Sequence, residues 1–192
     1  FGHYVLGLAL AAQKKEGAVE SFNAAIAAYP QVARFYFQAA LALAAAGKTD
    51  AGAALFEAYK KSLKENEAFH ISKGDFLRAS GDPAGALASY DLALKENVAS
   101  ADAYYRKCRV QHEQGLAPKE KKKKEFFEAA LKDCERAVQV REKFPEVYRE
   151  VGLIYMDTNP KSGEALEQFV KAIQFYKAQQ APKSVLEDLI TE

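Results

Sequence analysis

Few side chains in this sequence are typed and spaced for chemistry. His3, His70 and His112 lie far apart, and none stands at zinc-ligand spacing from Cys108 or Cys134. No glycine-rich phosphate loop, serine elbow or helical zinc-protease motif occurs. Carboxylates are plentiful, but scattered over alternating helix faces they read most simply as surface charge. An enzyme is therefore not expected, nor a cofactor or a bound metal. The arginines offer more. Arg78, Arg106, Arg109 and Arg149 recur in the later part of the chain, and a planar guanidinium can grip a carboxylate with two parallel hydrogen bonds. The densest charge run, Lys119-Glu120-Lys121-Lys122-Lys123-Lys124, stands directly before Phe126-Phe127. Such a run suits an acidic partner, a nucleic acid or a membrane surface, or simply a solvated helix end.

What must position these residues is helical. Alanine clusters such as Ala9-Leu10-Ala11-Ala12 and Ala44-Ala45-Ala46 are strong helix formers. Runs of β-branched residues bounded by turns are missing, so the chain reads as all-α. The 27 Lys+Arg against 26 Asp+Glu leave a formal charge of +1, which gives no global case for a polyanionic partner. No apolar stretch is long enough to span a membrane as a helix.

The sequence repeats. Gly47, Gly81 and Gly115 are each 34 residues apart, as are Phe22, Phe56 and Tyr90. The step then lengthens to 44 between Tyr90 and Cys134, and returns to 35 between Cys134 and Phe169. Each unit reads as two antiparallel helices. In the third, a helix over about 68–79 is followed by a Gly81-Asp82-Pro83 turn and a second helix carrying Ala86, Tyr90 and Ala93 on one stripe. Gly74 and Ala86 let the two helices approach closely, and Tyr90 fills the wider gap beside them.

At Gly74, Leu77, Ala86, Tyr90 and Ala93, and again at Tyr148, Val151, Gly152, Tyr155, Ala165, Phe169 and Ala172, the chain resembles the tetratricopeptide repeat family. The second unit departs with Gly52 and Tyr59, and the fourth with Cys108 for the glycine and Cys134 for the aromatic. The resemblance implies a right-handed α-solenoid of antiparallel helix pairs forming one domain over 1–192. Its units would be about 2–30, 31–64, 65–98, 99–143 and 144–178. The fourth holds a ten-residue insertion near 116–126, and a capping helix over about 182–191 carries Val185, Leu186, Leu189 and Ile190 on one face. Helical from Pro118, the insertion would lengthen the second helix of its unit by about 15 Å. It would stand out as a solvated spur, with Lys119, Lys121, Lys122, Lys123 and Lys124 as a secondary basic patch. In the lattice Cys108 and Cys134 face each other within the fourth unit. Two buried thiols acting as small hydrophobes are favoured, and a disulfide, which would argue for export, is the alternative.

The resemblance also implies a scaffold that binds an extended protein or peptide segment in a groove lined by the first helix of each unit. Once the packing positions are set aside, that lining is Tyr4, Leu8, Arg34, Phe37, Gln38, Leu41, Ile71, Asp75, Arg78, Tyr105, Arg106, Arg109, His112 and Arg149. Its early part is aromatic and aliphatic and its later part arginine-rich, so the expected ligand is part apolar and part acidic. The competing reading pairs these arginines with Asp75, Asp102 and Glu113. The Lys/Asn clamp by which some co-chaperones of this family grip acidic tails is missing. A nucleic acid is disfavoured because no basic stripe recurs once per unit, and self-assembly through the end units is an alternative. A cytoplasmic setting is weakly favoured. An exported or periplasmic one stays open, because the chain starts Phe1-Gly2-His3 without a methionine.

Overall fold

The computed structural model describes residues 1–117 and 121–179. Among the described residues there are ten α-helices and no strand. The chain divides into two compact bodies, Phe1–Val98 and from Ala99 onward. The first holds α1 (Gly2–Ala12), α2 (Ala18–Ala28), α3 (Ala33–Ala45), α4 (Thr49–Ser62), α5 (Glu67–Ala79) and α6 (Pro83–Glu96). The second holds α7 (Ala101–Leu116), α8 (Lys123–Val140), α9 (Pro145–Thr158) and α10 (Glu164–Ala178). The expected capping helix over 182–191 lies outside the described residues.

Helices α1 and α2, α3 and α4, α5 and α6, α7 and α8, and α9 and α10 pack as hairpins, and the turns follow local chemistry. Gly47 and Gly81 adopt φ of 80° and 82°, a left-handed backbone that an L side chain resists. Asp82 then caps α6 by accepting from the Gly85 N–H at 2.9 Å, with Pro83 at the first helical position. Asn66 and Ser100 cap α5 and α7 in the same way, through Phe69 N–H and Ala103 N–H.

Between the helices of a pair, glycine faces an aromatic ring. A Cβ on Gly7 would meet the Phe22 ring at 2.6 Å and one on Gly152 the Phe169 ring at 2.6 Å, and Gly74 stands against Tyr90 in the same manner. Each close approach is possible only because that Cβ is missing. Gly52 meets a different need: a Cβ there would meet the Phe76 ring of α5 at 2.6 Å and the Ala40 carbonyl at 2.9 Å. The second unit's departure at Tyr59 belongs to the same region. Tyr59 is buried, its hydroxyl donates to the Lys64 carbonyl at 3.1 Å, and its ring packs against Phe37 and Phe69.

The fourth unit corrects three expectations. Cys108 and Cys134 are fully buried and joined as a disulfide, with Cα atoms 5.3 Å apart. Thus the thiol reading gives way to a covalent link where Gly74 and Tyr90 touch in the unit before. Gly115 is not a turn glycine: it lies inside α7, where a Cβ would meet the Phe127 ring at 2.7 Å. It adds a glycine–aromatic contact two turns from the disulfide. Finally, α8 starts at Lys123, and residues 118–120 of the expected spur lie outside the described residues. Displaced by 34, the end of α5 at Ala79 falls on Glu113, yet α7 runs three residues further; displaced by 44, Pro83 falls on Phe127, yet α8 starts four residues earlier at Lys123. Both helices of the hairpin gain about one turn, so the added length has a packed partner.

Candidate binding site

In the first body, the expected lining separates into supports and accessible side chains. Tyr4 is buried, 8% exposed, with its ring stacked on Phe35 at 4.4 Å and its hydroxyl bonded to Gln38 Oε1. Burial raises its pKa, against the pull of Arg34. Phe37 is half-buried and forms the rim of an aromatic cluster, with ring centres 5.0 Å from Tyr59, 6.1 Å from Phe56 and 6.3 Å from Phe69. Asp75 accepts a hydrogen bond from the Tyr90 hydroxyl at 2.8 Å, and Arg78 is likewise engaged. These residues hold the repeat together. Leu41 on α3 is 41% exposed, Arg34 is exposed, and Leu8 and Ile71 are half-buried. They are the open part of the face.

In the second body, α7 and α9 bring together Tyr105, Arg109 and His112 with two carboxylates that the sequence reading passed over, Glu150 and Asp157. His112 is buried. Its Nδ1 lies 2.7 Å from Glu150 Oε1 and its Nε2 lies 2.8 Å from Asp157 Oδ2. Two carboxylates on two ring nitrogens call for two N–H donors, which only the imidazolium has. Burial opposes that charge, but the bonds to Glu150 and Asp157 outweigh it and the pKa is raised. Glu150 and Asp157 are seven residues apart, two turns of one helix face. That spacing was the signal available in the sequence. His112 is therefore a buried tie from α7 to α9 and not an open groove residue.

The arginines here have carboxylate neighbours. Arg109 lies 3.7 Å from Glu113 and 4.0 Å from Glu150, and its guanidinium sits over the Tyr105 ring at 5.8 Å. Tyr105 packs in turn on Phe144 at 5.1 Å, and burial raises its pKa. Arg106 lies 4.0 Å from Asp102, which also accepts from Arg141 Nη2 at 2.6 Å. Arg149 is half-buried and engaged. Of the basic patch, Lys119 lies outside the described residues. Lys121, Lys122, Lys123 and Lys124 are exposed at the start of α8, where Lys122 pairs with Glu125 and Lys124 with Glu128, both at 3.7 Å.

Residues 4–67 match the family model described as the tetratricopeptide repeat. Over these residues, about a third of the chain, the sequence is similar to tetratricopeptide repeats. No curated protein matches it by sequence. Among solved structures, MamA superposes with a TM-score of 0.60 at 17% identity, over 86% of this chain and 90% of that one. YrrB, described as a tetratricopeptide protein with an unusual peptide-binding site, gives 0.55 at 17% identity, over 90% and 84%. The human IFIT1 dimer with PPP-AAAA gives 0.66 at 18% identity, over 88% of this chain but 39% of IFIT1. At these identities the likeness shows the fold alone, an all-α helical-repeat solenoid type. No described helix is long and apolar enough to cross a membrane.

Proposed function

We propose that this tetratricopeptide chain is a non-catalytic scaffold that holds an extended segment of a partner protein on the first-helix faces of its repeats. One observation carries this reading. On α3 and α5 the core is already filled by Phe35, Phe37 and Phe69, yet Leu41 remains exposed and Ile71 half-exposed on the same helices, while Leu8 of α1 packs partly against the core. Apolar side chains that the core does not require are available to a ligand. In the second body, Arg106 and Arg109 are the groups for a ligand carboxylate. Such a carboxylate must compete with Asp102, Glu113 and Glu150, so its gain is smaller than for an unmatched arginine. The buried disulfide also favours work in an oxidising compartment over a reducing cytosol, a reading that alkylation of thiols in whole cells before lysis would test.

A peptide library panned against the full chain, followed by affinity measurements on the enriched peptides, tests the binding role. Leu41→Glu with Ile71→Glu should weaken them at least tenfold, and Arg106→Glu with Arg109→Glu should weaken those bearing carboxylates. Failure to enrich any peptide, or equal affinity for all variants, overturns the reading. A salt-sensitive complex with single-stranded RNA in place of peptide binding would point to the nucleic-acid alternative.

A further inference from the structure

The overhang of α8 roofs a furrow that the groove reading does not use. Two adjoining hollows of ≈ 520 and ≈ 630 Å³ share Glu128 and Leu131. The larger is floored by Leu131 and Val138 of α8 and by Tyr148, Val151 and Tyr155 of α9, with Gln168 and Lys171 of α10 on the far bank. The floor residues are all half-buried. The smaller continues past Leu131 to Phe127, Asp157 and Thr158, and is closed by Lys123 and Lys124. From Lys123 to Val138 the furrow follows α8 for about 22 Å.

Leu131 and Val138 are seven residues apart, and Tyr148, Val151 and Tyr155 fall at i, i+3 and i+7. Both rows have the spacing of a helix ridge, and between them lies the kind of groove into which another helix ridge packs. The charge is uneven along it. At the α8 end, Lys122 pairs with Glu125 and Lys124 with Glu128, while Lys121 is exposed and Lys123 lies over the Phe127 ring. Asp157, the other carboxylate there, is bonded to His112, and the α8 N-terminus has no side-chain cap. This end therefore keeps a positive excess.

We infer that this furrow docks an amphipathic helix of a partner protein, whose apolar stripe lies over Leu131, Val151 and Tyr155 and whose acidic first turn meets Lys121–Lys124. The orientation follows from charge. Carboxylates at a helix N-terminus stabilise that helix's own dipole, so the same residues that favour the free helix are those that the lysines attract. The ten-residue insertion thereby acquires a role: it supplies the roof and the lysines of a docking surface distinct from the first-helix faces. The mode is the helix-in-groove recognition used elsewhere for apolar anchors at helical spacing.

The test uses two labelled synthetic helical peptides of identical apolar stripe, one with an Asp-Glu-Glu first turn and one with a Lys-Lys-Lys first turn. Titrated against the full chain by fluorescence anisotropy, the acidic peptide should bind at least tenfold more tightly. Replacing Lys121–Lys124, all exposed, by Glu should abolish or reverse that preference. Leu131→Lys should weaken the acidic peptide at least tenfold while Leu41→Glu leaves it unchanged. Equal binding of the two peptides, no binding of either, or loss on Leu41→Glu with none from the lysine variant overturns the proposal.

Discussion

At Gly74 an added methyl group would stand inside contact distance of the Tyr90 ring, and that ring cannot swing aside because its hydroxyl is tied to Asp75. Gly74→Ala should therefore cost about 1–3 kcal/mol through overpacking, against about 1 kcal/mol gained in helix propensity. Gly2→Ala, with nothing within 4 Å of its Cβ, meets no such clash. Urea unfolding of the two variants should show a lower midpoint for the first and none for the second. These packing glycines were legible from the 34-residue lattice at Gly74 and Gly152. Gly115 was not, because it shares the spacing of Gly47 and Gly81 while doing the opposite work. Spacing places a residue in the repeat, but says nothing of whether φ is left-handed or whether a ring lies across from it. The groove residues show the same limit. A helix face can be read from periodicity, whereas Tyr4 and Phe37 proved to be supports because aromatic partners on neighbouring helices reached them.

The α7–α8 hairpin combines a stabilising cross-link with a weak helix start. The disulfide closes a loop between residues 26 apart. By loop-closure entropy, such a link is worth about 3 kcal/mol or slightly more. Reductant under unfolding conditions should add two hydrogens to the intact mass and lower the urea midpoint read from α7 and α8 by hydrogen exchange; an unchanged mass would refute the bond. The start of α8 is the opposite case. Lys122 occupies the N-cap without a side-chain cap bond, and positive charge there opposes the helix dipole. Lys122→Asp should stabilise the first turn by about 1 kcal/mol, visible as slower amide exchange at Lys124–Phe127. Loss of the exposed pair with Glu125 subtracts little from this. The order of the ten described helices was readable from the lattice, and so was the 44-residue step that implies an insertion. How it was shared between α7 and α8 was not, because that division depends on Gly115 accepting Phe127 and so letting α7 continue.

At the scale of the whole chain, the ten described helices fall into two bodies, and each body carries one buried histidine with an opposite response to acid. In the second, His112 has a raised pKa: burial opposes its charge, but the bonds to Glu150 and Asp157 prevail. Its contribution to stability is complete below the unfolded value near 6.5 and is lost as pH climbs through the higher folded value. In the first, His70 has a lowered pKa, because burial disfavours the cation more than Glu65 and Glu96 attract it, and Lys73 and Lys60 add repulsion. There the unfolded chain takes up a proton first, so stability falls as pH drops below about 6.5. Between about pH 7.5 and 5.5, amide exchange corrected for its intrinsic pH dependence should therefore slow in α7 and α9 and quicken in α5. His112→Gln should erase the first trend alone, and His70→Gln the second. Parallel responses in both bodies, or trends that survive these substitutions, would show that other groups govern the acid response. The repeat lattice assigns His70 and His112 to different units, but no spacing rule tells which of them is held by two carboxylates, since Glu150 and Asp157 come from the following repeat. That contrast arises only when α9 lies against α7, which is why one repeated fold can give its two bodies opposite responses to the same change in pH.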